Sequence, residues 1–251
     1  FVYLALPCEI NNFSAVLNAL KKINCKGLNI TIPFKERAFE LCNNMTPIAK
    51  KTKAINTLKL DNKGEWFGTN TDVEGFIYPL RKFNLQNKKA TILGSGGAAR
   101  SAIQGLIDLE LSEINVISRN ENSLRKIILD FENQFKIKGL LANNSSITKT
   151  IGDSNLVVNT TPVGMKAQKC DQQNIPFGEN CWKLLHKETI IYDLIYNPKE
   201  TQLLQLSAEK GCSTIDGSEM LVAQGAKSLS FWTNELEIPI DIMRNSLKQY
   251  L

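Results

Sequence analysis

The apolar positions of this chain follow two different rhythms, and the change comes near residue 87. Before it the pattern is mixed. A short strand is expected over residues 2–6, after which Phe13, Val16, Leu17 and Leu20 recur at helical spacing, with Ile23 closing the stripe. Residues 27–32 alternate as a strand and stop at Pro33, which takes a helix-start position for a pattern running from Lys35 to Cys42. Residues 55–60 and 65–67 predict a hairpin around Asp61-Asn62-Lys63-Gly64. Asn70-Thr71-Asp72 offers caps for a helix carrying Phe76, Ile77 and Leu80.

After Asn87 the rhythm is regular. Strands over 89–93, 114–118, 155–160 and 189–195 alternate with helices over about 97–110, 120–134 and 199–210. The strands are near-continuous apolar runs such as Leu156-Val157-Val158 and Ile190-Ile191-Tyr192, the pattern of a parallel sheet covered on both faces. Residues 139–153 and 165–180 read as loop-rich, and 212–215 as a last strand. Two helices follow, from Ser218 to about Leu236 and from Pro239 to the end. The fold class is therefore α/β, with two domains. Residues 1–71 make an irregular α/β unit, 72–217 a doubly wound, Rossmann-type parallel-sheet domain, and 218–251 helices that cross back to the first unit.

The chemistry of the regular half is concentrated in Thr91-Ile92-Leu93-Gly94-Ser95-Gly96-Gly97-Ala98-Ala99-Arg100. An apolar run enters a glycine turn, and small residues lead into a helix. Gly94 permits the sharp turn, Gly96 lets backbone approach a pyrophosphate, and Ala99 lets helix pack close to strand. The helix start then presents unpaired N–H groups and a positive dipole end to the anion. The next strand ends Ser118-Arg119-Asn120, with Ser123 nearby and no acidic residue before Glu121. An acid at that tip would bind the 2′-hydroxyl of NAD, whereas Arg119 suits the 2′-phosphate of NADP.

Composition narrows the classes. The 251 residues are 43% hydrophobic and 22% charged, with a net charge of +5 spread over scattered lysines, so nothing favours nucleic acid or a membrane surface as partner. No apolar run approaches the roughly 18–20 residues of a membrane span, and the first residues do not read as a signal peptide. Six cysteines without a Cys-x-x-Cys pair, and a single histidine, His186, argue against a metal site and against Ser-His-Asp chemistry. Reduced thiols in a cytoplasmic protein are the expectation.

Three further stretches stand out. In Thr31-Ile32-Pro33-Phe34-Lys35 a lysine opens a helix, where the dipole disfavours a positive charge; that poises Lys35 for proton transfer. Gly68-Thr69-Asn70-Thr71-Asp72 offers a turn and caps. Gln224 shares a helical face with Met220 and Leu221, so its amide needs a partner.

In order and character the chain resembles the shikimate dehydrogenase family. Seven stretches carry the resemblance: 29–35, 54–57 (Ala-Ile-Asn-Thr), 68–72, 94–100, 159–165 (Asn-Thr-Thr-Pro-Val-Gly-Met), 192–198 (Tyr-Asp-Leu-Ile-Tyr-Asn-Pro) and 216–224. The resemblance implies NADPH-dependent reduction of 3-dehydroshikimate to shikimate, toward chorismate and the aromatic amino acids, by a monomer or homodimer needing no metal. It implies Lys35 as catalytic acid/base with Asp72. Thr31, Asn56, Tyr196 and Gln224 would hold the substrate alongside that pair. Gly94, Ser95, Gly96, Gly97 and Ala98, with Ser118, Arg119, Asn120 and Ser123, would hold NADP, and Leu194 and Gly217 its nicotinamide end. Family members usually place Asn and a second basic residue where Ser118 and Ser123 stand, with Arg125 the available substitute. They also usually begin with a strand, a Ser-x-Ser carboxylate anchor and a His-Asn element upstream of the first residue here. Two expectations follow: a trimmed piece of a longer enzyme, or a chain without that anchor whose activity is open. The alternatives are a quinate/shikimate dehydrogenase of broader range and a non-catalytic NADP- or metabolite-binding module.

Overall fold

The change of rhythm corresponds to two sheets in the computed structural model, which describes residues 2–143, 145–166 and 175–251. Strands β1 (Gly27–Asn29), β2 (Asn44–Met45), β3 (Thr57–Leu60) and β4 (Trp66–Thr69) form a four-stranded sheet in the order β1-β3-β4-β2. The hairpin pairs antiparallel, with Leu60 opposite Trp66 across the Asp61–Gly64 turn. Helices α1 (Phe13–Lys22), α2 (Lys35–Leu41) and α3 (Pro47–Thr52) accompany it, around a core that includes Phe13, Leu17, Ile55, Leu58 and Trp66.

Helix α4 (Asp72–Ile77), extended by a 3-10 turn over Tyr78–Lys82, leads into the second sheet. Its strands are β5 (Lys89–Leu93), β6 (Glu113–Ser118), β7 (Ile137–Leu141), β8 (Leu156–Asn159), β9 (Ile190–Asp193) and β10 (Ser213–Ile215). All pair parallel in the order β10-β9-β8-β5-β6-β7. Helices α5 (Gly97–Asp108), α6 (Glu121–Phe131), α7 (Ile147–Gly152) and α8 (Gln202–Glu209) cover it. One face buries Phe76, Ile92, Ile103 and Tyr192, the other Leu93, Val157, Ile191 and Trp182. The fold is α/β with a doubly wound sheet, and the strand order reverses at β5. The glycine turn leaves that strand, where ligands of such sheets bind.

Helices α9 (Ser218–Thr233) and α10 (Ile240–Lys248) complete the chain. The start of α9 packs on α4, and its end crosses onto the first sheet. There Trp232 Nε1 donates to the Leu58 carbonyl at 2.9 Å, and Lys59 Nζ to the Phe231 carbonyl at 2.9 Å. Gly27 makes the crossing possible, because a Cβ there would lie 2.3 Å from the Trp232 indole.

Several expectations are corrected. Residues 2–6 form no strand, since no neighbouring strand offers them a ladder; instead Tyr3 donates to Asn29 Oδ1 at 2.9 Å. The strand expected over 27–32 stops at Asn29, and the chain turns at Thr31, whose carbonyl accepts the Phe34 N–H at 2.9 Å. Ile23 lies outside the α1 stripe, exposed at its C-cap. Part of the stretch read as loop is regular: β7 is an edge strand with only Ile137 and Leu140 buried, and α7 is too short to display a period. Cys170, and residues 167–174 of the other loop-rich stretch, lie outside the described residues.

Gly105 tests the packing of α4 on α5. A Cβ there would sit 2.6 Å from Phe76 Cδ1, and Phe76 is fully buried and stacked on Tyr192 at 5.3 Å between centroids. Helix propensity favours alanine by about 1 kcal/mol, while overpacking costs about 1–3 kcal/mol. Overpacking wins because the ring has no room to move. Gly105→Ala is expected to lower the unfolding free energy in urea by about 1 kcal/mol.

Candidate active site

Two helix starts build the centre of the site. Lys35 is the first residue of α2 and Asp72 the first of α4. A carboxylate is favoured at such a position and an ammonium is not, so the two compensate when they meet. They do meet: Lys35 Nζ donates to Asp72 Oδ2 at 2.7 Å, with side chains only 14% and 6% exposed. Asn70 sets Asp72, its Oδ1 accepting the Asp72 N–H at 3.0 Å while its amide donates to the Ala54 carbonyl. It thus serves as an Asx brace rather than the expected N-cap.

Asn56 lies beside this pair. Its Oδ1 accepts the Thr71 N–H at 2.8 Å and its Nδ2 donates to Thr71 Oγ1 at 2.9 Å. Ser228 of α9 joins the cluster, 2.8 Å from Thr57 Oγ1 and 3.1 Å from Thr71 Oγ1. Gln224, one turn earlier, donates from Nε2 to the Leu221 carbonyl at 3.0 Å. Gly75 admits it, because a Cβ at 75 would lie 2.8 Å from Gln224 Cβ. Lys35, Asp72, Asn56 and Gln224 are thereby gathered around the start of α4. Thr31 and Tyr196 are exposed and make no side-chain hydrogen bond among the described residues.

The glycine turn forms the opposing wall. Gly94 has φ +107°, and a Cβ there would lie 2.6 Å from Thr160 Oγ1, so the turn requires glycine twice over. A Cβ on Gly96 would meet nothing within 4 Å, which leaves its backbone open to an approaching anion. Gly97 and Ala98 open α5, where first-turn N–H groups have no helical acceptor. At Gly97 the two walls touch, since a Cβ there would lie 3.1 Å from Lys35 Cβ. Ser95 Oγ bonds Ser118 Oγ at 2.8 Å and Ser123 Oγ at 2.6 Å, linking the turn to the tip of β6. Arg119 is exposed at that tip and makes no ion pair among the described residues. These features fit a dinucleotide with a 2′-phosphate. Two neighbours are otherwise engaged: Asn120 caps α6 by accepting the Ser123 N–H at 2.9 Å, and Arg125 pairs with Glu121 at 2.6 Å on the outer face.

The far end of the wall is braced by a buried carboxylate. Asp193 accepts from Asn159 Nδ2 at 2.9 Å, the Ile195 N–H at 3.1 Å and Thr201 Oγ1 at 2.7 Å. Burial outweighs these donors and pushes its pKa up to about 6. The brace holds Leu194, whose N–H donates to the Asn159 carbonyl at 3.0 Å. Gly217 packs against it so closely that a Cβ would lie 2.1 Å from the Leu194 carbonyl oxygen. Among the described residues no three His, Cys, Asp or Glu side chains group as metal ligands.

Sequence reasoning missed Ser228, the Asp193 brace and the burial of Arg100. Ser228 carried a signal, lying four residues beyond Gln224 on the same helix. Asp193 and Asn159 lie within the 192–198 and 159–165 stretches, but nothing local indicates that they meet.

The sequence profile described as "Shikimate dehydrogenase substrate binding domain" matches residues 1–58, and that described as "Shikimate 5'-dehydrogenase C-terminal domain" matches residues 217–248. The chain is 60% identical over 250 residues to "Shikimate dehydrogenase (NADP(+))" of Prochlorococcus marinus (strain MIT 9215), covering 100% of this chain and 87% of that one. It superposes on shikimate dehydrogenase from Aquifex aeolicus with a TM-score of 0.84 at 30% identity, over 98% of this chain and 86% of that one. The Thermus thermophilus enzyme, in complex with NADP(H) and shikimate, gives 0.79 at 26% identity, over 97% and 86%.

The raised Asp193 pKa has a defined sign in stability. The folded state holds this proton more tightly than the unfolded chain, so its contribution falls as pH rises from about 4 through the folded pKa of about 6. The unfolding free energy of wild type minus that of Asp193→Asn is expected to decrease between about pH 4 and pH 7. The decrease should be up to about 3 kcal/mol, measured by urea denaturation at each pH.

Proposed function

This chain belongs to the shikimate dehydrogenase family, and we propose that it catalyses the reversible, NADPH-dependent reduction of 3-dehydroshikimate to shikimate. It is an NADP-dependent oxidoreductase of the route to chorismate and the aromatic amino acids. The observation that carries the reading is the Lys35–Asp72 pair, 2.7 Å apart and in contact with the glycine turn at Gly97.

NADPH, when bound, supplies a hydride to the C3 carbonyl carbon of the substrate. Lys35 hydrogen-bonds the carbonyl oxygen, stabilises the negative charge that develops there and delivers the proton. Asp72 holds the ammonium in place and balances its charge. Asn56, Gln224, Thr31 and Tyr196 take the substrate's hydroxyls. Residues 94–98 take the pyrophosphate on the N–H groups that follow Gly94, whose own N–H donates to the Ile117 carbonyl at 2.8 Å, and on the start of α5. Arg119, supported by Ser118 and Ser123, takes the 2′-phosphate. Leu194, kept in place by Gly217, lines the nicotinamide end. In this division residues 1–71 and 218–251 handle substrate and 72–217 the cofactor.

The free thiols of Cys8, Cys25, Cys42, Cys181 and Cys212 support a reducing compartment, the cytoplasm. No helix among the described residues is long and apolar enough to cross a membrane. A quinate-active relative using NAD would suit an acidic residue at the tip of β6, where this chain has Arg119. A pure binding module would have no use for a buried lysine–aspartate pair.

Two substitutions test the assignment. Lys35→Ala is expected to slow NADPH oxidation with 3-dehydroshikimate at least about 100-fold; undiminished turnover would remove Lys35 from its role. Arg119→Gln is expected to raise KM for NADPH about 10- to 100-fold and leave KM for NADH unchanged, the loss of a charge-assisted contact to phosphate. Equal effects on both cofactors would place the 2′-phosphate elsewhere.

A further inference from the structure

Behind the Lys35–Gly97 contact lies a chain of charges that the proposed chemistry does not use. Arg100 is only 1% exposed. Its Nη2 donates to Asp130 Oδ2 at 2.6 Å and stands 3.4 Å from Glu36 Oε2, while its Nη1 donates to the Thr52 carbonyl at 3.4 Å. Each carboxylate takes a second cation: Asp130 Oδ1 accepts from Lys53 Nζ at 2.6 Å, and Glu36 Oε2 from Lys126 Nζ at 2.9 Å. Lys53, Thr52 and Glu36 belong to the elements of the first sheet. Arg100, Asp130 and Lys126 belong to the helices of the second. The chain of charges therefore crosses the seam between them.

Its position matters. Glu36 directly follows Lys35, and Arg100 lies one helical turn beyond Gly97. Two contacts, one turn apart on α5 and one residue apart on α2, fix both the distance and the rotation of α2 against the glycine turn. A buried guanidinium that loses a partner is left uncompensated in a dry site, so this end of the seam resists parting.

On the reading of Lys35 as proton donor, we propose that Arg100 is a positioning residue: through Glu36 it holds the first turn of α2 against the start of α5, and so sets where Lys35 Nζ stands relative to the cofactor wall. Asp130 lies on the same side of the seam as Arg100 and anchors the guanidinium. Glu36 transmits its position across.

The test compares Arg100→Lys and Glu36→Gln with wild type, after wild type has been shown to reduce 3-dehydroshikimate. Readouts are the single-turnover rate, KM for NADPH, thermal unfolding and the rate at which acetic anhydride acylates Lys35, followed by mass spectrometry. Arg100→Lys is expected to slow the single turnover about tenfold and Glu36→Gln about threefold, with KM for NADPH within about twofold of wild type, as displacement of a reacting group requires. Lys35 should acylate faster in both variants. Wild-type turnover and acylation in folded Glu36→Gln would overturn the proposal, and that variant decides the matter if Arg100→Lys does not fold. A fall in rate matched by an equal rise in KM for NADPH, with Lys35 acylation unchanged, would also overturn it. Inactive wild type would instead refute the assigned reaction, leaving the acylation readout to judge the positioning.

Discussion

The structure turns on the absence of a side chain at Gly97. Because that position is bare, the stem of Lys35 lies directly on the first turn of α5, and two elements of different parentage meet there. A lysine at a helix start is electrostatically misplaced, and the Asp72 carboxylate at the start of another helix corrects it. Neither residue is well placed alone. As a pair with most of its surface removed from water, they give one side of the cleft a fixed ammonium facing the glycine turn.

Everything else of consequence keeps that geometry in register. Asn70 and Asn56 tie down the backbone around Asp72 from the first sheet. Helix α9 arrives from the far end of the chain and adds Ser228 to the hydroxyl cluster, with Gly75 and Gly27 clearing its path. On the side of the glycine turn, Asp193 draws together the ends of β8 and β9 and the start of α8, so that Leu194 and Gly217 share one closely packed corner. Buried polar groups here are expensive unless satisfied, and their partners come from distant segments. The site is therefore assembled from segments distant in sequence.

Charge is used differently on the two walls. The first carries a compensated pair, the glycine-turn wall an exposed Arg119 that makes no ion pair among the described residues and first-turn N–H groups without a helical acceptor. Between them, the charges around Arg100 make the seam itself polar.

The doubly wound sheet was legible in the sequence because buried parallel strands and amphipathic helices imprint their periods on the chain. The glycine turn, the basic tip at Arg119 and the helix-start positions of Lys35 and Asp72 were legible for the same local reason. β7 escaped notice because an edge strand buries little. The strand expected at residues 2–6 failed because apolar alternation does not supply a neighbour. Periodicity records that a face is buried but not what covers it. Lys35 and Asp72 are 37 residues apart, Thr57 and Ser228 171 residues apart, and nothing in either neighbourhood encodes the meeting. The sequence by itself determined which groups were available and which elements carried them. Only the tertiary structure decided which groups face each other, because long-range hydrogen bonds and ion pairs form only after helices and sheets have packed.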